Sequence, residues 1–279
     1  MDGERPAPVL ARFSARGPSS SYLGIAMPDI MAPGVLILAA FPPNIFSESI
    51  QNIELSSDYE LKSGTSMAAP HASGIAALLK GAHPEWSPLA ICSAMMTTAN
   101  HLDSTQKPIR EDDNMIAKPL DMGAGNVDPN RALDPGLVYD ATPQDYINLI
   151  CSMNFTEEQF KTFARSSANY NNCSNPSADL NYPSFIALYP FSLEGNFTWL
   201  EQKFRRTLTN NSTVSVSPRT LVFKEKNDKQ SYNLTIRYIG DSDQSRNFGS
   251  ITWVEENGNH TVRSPIVTST IIEVWGSED

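Results

Sequence analysis

The strongest constraint on this chain is an abrupt change of pattern near residue 179. From residue 1 to about 150, short apolar runs and stretches of helical periodicity are punctuated by glycine and proline, an α/β texture. After Asp179 the chain reads as short alternating strands at Ser212–Val216, Thr220–Phe223, Tyr232–Ile236, Gly249–Val254 and His260–Arg263. Turn residues separate them at close spacing, which predicts a β-sandwich. Residues 151–178 are polar, with helical character around Thr156–Phe163, and read as a connector. The expected organisation is therefore an α/β domain over 1–150, a connector over 151–178 and an all-β domain over 179–279. A chain of 279 residues has room for both domains.

Within the first region, Val9–Phe13 reads as a strand entering the Gly17-Pro18 turn. Val35–Ala40 is a continuous apolar run, the pattern of a strand covered on both faces. Two helices follow. The first begins near Ser66 and runs through Lys80 to Gly81. The second takes Ser87 as N-cap and Pro88 at its first position, and continues to about Thr98.

A formal net charge of −10 argues against a nucleic-acid role, since phosphate binding needs a basic face and no dense Lys/Arg run supplies one. The longest apolar stretch, Val35–Phe41, is too short to cross a bilayer. Met1–Pro6 lacks the apolar core of a secretory signal. N-x-Ser/Thr acceptors nevertheless stand at Asn154, Asn172, Asn196, Asn210, Asn211, Asn233 and Asn259, a distribution that leans toward the secretory pathway. Cys151 and Cys173 flank a polar segment and are candidates for a disulfide, whereas Cys92 lies in a helical pattern among Ala and Met and reads as a buried free thiol. Three separated cysteines and four scattered histidines give no metal-ligand spacing, so neither metal nor cofactor is expected. Gly123-Ala-Gly125 lacks the context of a phosphate loop, and Arg110–Asp113 and Lys224–Lys226 read as solvated faces.

The segment carrying chemistry is Ser63-Gly-Thr-Ser-Met-Ala-Ala-Pro-His71. Gly64 permits an unusual backbone geometry, and Ser66 falls at a helix start, where exposed N–H groups favour developing negative charge. Small residues at Ala68, Ala69, Ala72, Gly74, Ala76 and Ala77 allow close packing of that helix. Taken alone, a serine here is far more often a helix cap than a nucleophile.

Several further segments change that balance. Arg12–Pro18, Pro28–Gly34, Gly64–His71, His83–Pro88, Ser93–Ala99, Gly123–Pro129, Asp134–Asp140, Asp179–Phe185, Arg206–Asn210 and Val262–Ile266 resemble, in order and spacing, the plant subtilisin-like serine proteases, or subtilases. The resemblance covers essentially the whole chain. It implies the C-terminal half of a three-layer, parallel-sheet peptidase domain, followed by a fibronectin type III-like sandwich. It also implies that Ser66 is the acyl-transfer nucleophile of an endopeptidase acting on proteins or peptides in the extracellular space.

In that family the orienting Asp, the base His and the oxyanion Asn precede the serine, and they are expected upstream of Met1. His71, five positions from Ser66, turns to another helix face, while His83, His101 and His260 read as structural or surface groups. Neither Asp29 nor Asp58 has a histidine partner in sequence. The expectation is a protease fragment; the alternative is an inactive relative with at most a binding role. An α/β-hydrolase elbow is disfavoured because Ala68 stands where that motif has glycine. Three departures from the family stand out. Asn126 replaces a frequent His, Cys92 replaces a basic residue, and the step from Asn211 to Ser212 omits a strand pair, so the sandwich is expected to be shortened.

Overall fold

The first long helix, α1 (Thr65–Ala82), starts where Gly64 ends an extended segment and stops at His83, whose backbone N–H caps the carbonyl of Leu79. Pro70 lies inside it, so the N–H that would reach the Ser66 carbonyl is missing. Helix α2 (Pro88–Thr97) begins as the sequence predicts: Pro88 occupies the first position and Ser87 Oγ accepts from Ala90 N at 3.0 Å. The described residues of the computed structural model are 6–19, 23–45, 48–50, 53–153, 155–163, 173–190, 199–210, 220–223, 225, 227–239, 247–256 and 258–271.

Before α1 come β1 (Val9–Leu10), β2 (Ile37–Ala40), β3 (Glu48–Ile50), β4 (Ile53–Leu55) and β5 (Tyr59–Lys62). After α2 come β6 (Arg110–Glu111), α3 (Pro119–Met122), α4 (Pro129–Leu133), β7 (Leu137–Tyr139), α5 (Pro143–Cys151) and α6 (Glu157–Phe163). The C-terminal region supplies β8 (Phe185–Pro190), β9 (Trp199–Asn210), β10 (Lys229–Ile239), β11 (Asn247–Val254) and β12 (Thr261–Ile271). β1 runs parallel to β6, while β2 with β5 and β3 with β4 form antiparallel pairs.

Helix α2 is the centre of the N-terminal core. Ala90, Ile91, Ala94 and Met95 pack with Leu79 of α1, Trp86, Val127, Ala132 of α4 and Val138 of β7. Burying side chains of this size contributes roughly 1.5–3 kcal/mol for each large one. Helix α1 is different. Leu79 is buried and Ile75 and Ala76 face the cluster, but Ala69, Ser73, Ala77 and Leu78 are exposed, Leu78 to 70%. The small-residue surface expected to pack closely is therefore covered on one side only, because no described element lies against the other.

The run Val35–Ala40 corrects a second expectation. It is not a strand covered on both faces: β2 spans only Ile37–Ala40, pairs antiparallel with β5, and sets Leu38 opposite Leu61, which is also exposed. A continuous apolar run reports hydrophobicity without saying what will cover it. The strand at Val9–Phe13 shortens to Val9–Leu10, since the chain turns as Ser14 N bonds to Ala11 O at 3.0 Å.

Among the described residues, the C-terminal region forms two three-stranded sheets, ordered β10-β9-β7 and β11-β12-β8. Their facing side chains meet in one core of Leu137, Tyr139, Phe185, Leu221, Phe223, Tyr232, Trp253 and Val262. This is the expected sandwich, and one of its strands comes from before the connector: β7 pairs with β9, Leu137 opposite Asn210. The expected strand at Thr220–Phe223 shows strand-like alternation, Leu221 and Phe223 inward and Val222 outward. The strand at Ser212–Val216 and the junction after Asn211 lie outside the described residues.

Cys151 and Cys173 are bridged, closing the connector across a sequence separation of 22, and Cys92 is free. Of the glycosylation acceptors, Asn233 and Asn259 are exposed. Asn154, Asn172, Asn196 and Asn211 lie outside the described residues, as does the side chain of Asn210. No helix of the described residues is long and apolar enough to cross a membrane.

Candidate active site around Ser66

The geometry at Ser66 is set by two glycines. Gly64 has φ 156° and ψ 166°, a region essentially restricted to glycine, and its N–H donates to Gly34 O at 2.8 Å. A Cβ on Gly34 would lie 2.9 Å from Gly64 O and 3.3 Å from the Ala68 Cβ. Ser63 Oγ accepts from Leu36 N at 2.8 Å. The end of the Pro28–Gly34 loop is thereby fastened to the residues that launch α1.

Ser66 stands second in the helix and does not cap it. The N-cap is Gly64, and no side chain supplies a cap hydrogen bond. The capping role, favoured for a serine seen in isolation, is thus excluded by position. Its side chain is exposed and makes no hydrogen bond to a described residue. It projects from the first turn of an 18-residue helix, where unpaired N–H groups and the macrodipole lower the energy of a nearby anion.

Three of the four histidines are held by other partners. His71 Nδ1 donates to Met67 O at 2.8 Å, a bond within its own helix. His83 Nε2 donates to Leu133 O at 2.8 Å, and the ring stacks on Trp86 with centroids 3.9 Å apart. Burial, and then the charges of Arg263 and Arg131, hold His101 below the ordinary imidazole range. His260 lies between Glu255 and Asp134. None is hydrogen-bonded to Ser66. Among the described residues, no group of three or more His, Cys, Asp or Glu side chains is arranged to hold a metal ion.

Sequence reasoning missed one partly buried cluster, at the start of the Pro28–Gly34 loop. Asp29 accepts from the Tyr182 hydroxyl at 2.7 Å, and the Cys92 thiol lies 3.9 Å from the same hydroxyl. Burial raises the Asp29 carboxyl above its usual range, with the Tyr182 bond pulling the other way. Burial, reinforced by the Asp29 charge, pushes the Cys92 thiol up to about 11, so it is held as the neutral, unreactive form. The Asp29 backbone accepts from Ala124 N at 2.9 Å, and a Cβ on Gly123 would meet Asp29 O at 2.3 Å. Gly123 is small because this loop crosses it, and Gly125 because a Cβ there would meet Asn100 O at 2.4 Å. The family motifs contained both partners, but a contact spanning 153 positions leaves no local trace.

Comparison with known proteins accounts for this arrangement. Residues 4–131 match the model of the subtilase family, and residues 179–268 match a fibronectin type-III domain model. The chain is 74% identical over 289 residues to the subtilisin-like protease SBT3 of Solanum lycopersicum, covering 97% of this chain and 38% of that protein. It is 39% identical over 285 residues to SBT1.3 of Arabidopsis thaliana, covering 95% of the chain and 36% of the relative. SBT1.7 of the same plant is 40% identical over 281 residues, covering 96% and 37%. The chain belongs to the subtilase family. It spans somewhat more than a third of the length of these relatives. The subtilase match accounts for the α1 region, and the fibronectin-type match for the two facing sheets.

Proposed function

We propose that Ser66 is the nucleophile of a serine-type endopeptidase, attacking the carbonyl of a protein or peptide substrate to form an acyl-enzyme. The observation that carries this reading is the exposed Ser66 hydroxyl in the first turn of α1, two residues after a glycine in a glycine-only conformation. Attack requires a base to take the Oγ proton, an acid to orient that base, and donors for the oxyanion. The helix N-terminus favours the anion, and the Ser66 N–H is suited to be one donor. None of the four histidines of these 279 residues is hydrogen-bonded to Ser66, and three are held by other partners, so this reading takes base and orienter from residues outside this sequence. The 279-residue chain by itself is then a non-catalytic species. The exposed sequons at Asn233 and Asn259 support an extracellular setting, and the net charge of −10 supports a protein substrate over nucleic acid.

A fluorophosphonate probe separates this from the second reading, an inactive relative with a binding role. The isolated chain is expected to remain unlabelled. Joined behind the preceding portion of the tomato SBT3 protease, it is expected to label stoichiometrically, and Ser66→Ala is expected to abolish that labelling. A folded chimera that stays unlabelled would favour the inactive relative.

A further inference from the structure

The imidazole of His260 sits between two carboxylates from distant parts of the chain. Its Nδ1 lies 2.6 Å from Glu255 Oε2, within the β11–β12 hairpin, and its Nε2 lies 3.0 Å from Asp134 Oδ2, on the turn between α4 and β7. The fit is built from both sides. Gly136 has φ 74°, and a Cβ there would come within 2.8 Å of the His260 Cβ, so this turn can approach the ring only as glycine. The Arg131 guanidinium of α4 donates to Thr261 Oγ1, the residue next to the histidine. The hairpin holds its own geometry through Glu255 N to His260 O at 3.1 Å.

Ionised carboxylates only accept hydrogen bonds, so satisfying both requires a proton on each ring nitrogen. Only the imidazolium has that. We propose that His260 is a proton-operated clasp between the fibronectin-type sandwich and the Asp134–Gly136 turn, closed when the ring is charged and released when it is neutral. On deprotonation one N–H remains. The shorter bond to Glu255, held inside the hairpin, keeps it, and the Nε2 lone pair then faces the Asp134 oxygen. The contact that fails is therefore the one joining the hairpin to the peptidase-type region.

The charged groups around the ring are Glu255 and Asp134 in contact, Glu256 exposed in the same turn, and Arg131 on α4 held against Thr261. Burial disfavours the charged ring, but the hydrogen bonds to Asp134 and Glu255 outweigh it and raise His260 above its ordinary value. The His260 bond in turn holds Glu255 below its own. A raised histidine contributes stability that is complete below about 6.5 and is lost as pH rises through the folded value. This inference does not depend on the chemistry of Ser66.

Ring-nitrogen NMR titration and amide hydrogen exchange on the 279-residue chain test it. The His260 midpoint is expected above 6.5 and should fall in Asp134→Asn, an exposed substitution that leaves the core untouched. Between pH 6 and 8.5, protection of Leu137–Tyr139 and Thr261–Arg263 amides, corrected for intrinsic rates, is expected to drop roughly fivefold. Asp134→Asn and His260→Gln should remove that drop. A wild-type midpoint at or below 6.5, or an undiminished drop in Asp134→Asn, overturns the proposal.

Discussion

The Tyr182 hydroxyl donates to Asp29 Oδ1 at 2.7 Å, tying the segment that leads into β8 to the loop that ends at Gly34. From Asp29 the linkage continues through backbone bonds, Ala124 N to Asp29 O and Met31 N to Gly125 O, and then through Gly64 N to Gly34 O. The turn that presents Ser66 is thus braced from the start of the sandwich.

Removing the hydroxyl in Tyr182→Phe leaves a largely buried carboxyl without that donor. The expected loss is about 1–3 kcal/mol in urea unfolding. Asp29 also has a pH signature. Its carboxyl is raised by burial, so the stability it contributes is complete below its ordinary value near 3.8 and declines as pH rises through the folded value. Asp29→Asn cannot ionise, so its stability relative to wild type should increase between pH 3.5 and 7. Parallel stability curves for the two proteins over that range would rule out this account.

Cys92 stands beside this pair, its sulfur 3.6 Å from Met96 Sδ and 3.9 Å from the Tyr182 hydroxyl. Where the family often has a basic residue, this chain has a thiol held neutral, and Asp29 has no cation from that side. Cys92→Lys places an ammonium within reach of Asp29 and favours the carboxylate. Its folded value then falls, and stability at pH 7 should rise by roughly 1–2 kcal/mol. In wild type, iodoacetamide at pH 8 should modify Cys92 only under unfolding conditions.

What could be read from the sequence follows from how locally each feature is encoded. Ser87-Pro88 marks the start of α2 because a cap and a fixed φ act within one turn, and α1 is marked by Gly64 and its run of alanines. The Cys151–Cys173 bridge was legible because only two cysteines flank the polar connector. β7 was not legible as a sandwich strand: Leu137–Tyr139 is three residues long, and its partner β9 lies across the connector. The coverage of Val35–Ala40 and of α1 also escaped, because periodicity names the apolar face but not its occupant. At the site, the motif singled out Ser66. Asp29–Tyr182 and His260–Asp134 depend on chain crossings that only the folded structure supplies.

Gly64 and Gly34 give a direct test of the turn before Ser66. Gly64→Ala forces a Cβ into φ 156°, ψ 166°, which costs about 1–3 kcal/mol of strain. Gly34→Ala instead brings a Cβ within 2.9 Å of the Gly64 carbonyl, so the loop must move away from α1. Both variants should lose stability in chemical denaturation. Both should also shift the Ser66 and Met67 amide resonances, while the sandwich signals stay in place. Unchanged amide resonances at 66 and 67 in either variant would mean that these glycines do not set the serine's position.

The last prediction concerns Tyr139, where the N-terminal core meets the sandwich. Its N–H donates to Ser93 Oγ of α2 at 2.9 Å, while its hydroxyl lies 2.8 Å from the Tyr232 hydroxyl and 2.9 Å from that of Ser264. All four residues are buried, and the Tyr139, Tyr232 and Ser264 hydroxyls meet where Tyr232 also packs edge-on against Trp253. Tyr139→Phe keeps the ring and removes the shared hydroxyl, so two buried polar groups lose a partner. A loss of about 1–3 kcal/mol is expected, more than an exposed hydroxyl would give. Ser93→Ala acts on the same strand from the helix side by removing the Oγ that accepts from the Tyr139 N–H, and should cost a similar amount. Because both substitutions loosen β7, their effects should be non-additive, and a double-mutant cycle measures this. Strict additivity would show that the helix and the sandwich hold β7 independently.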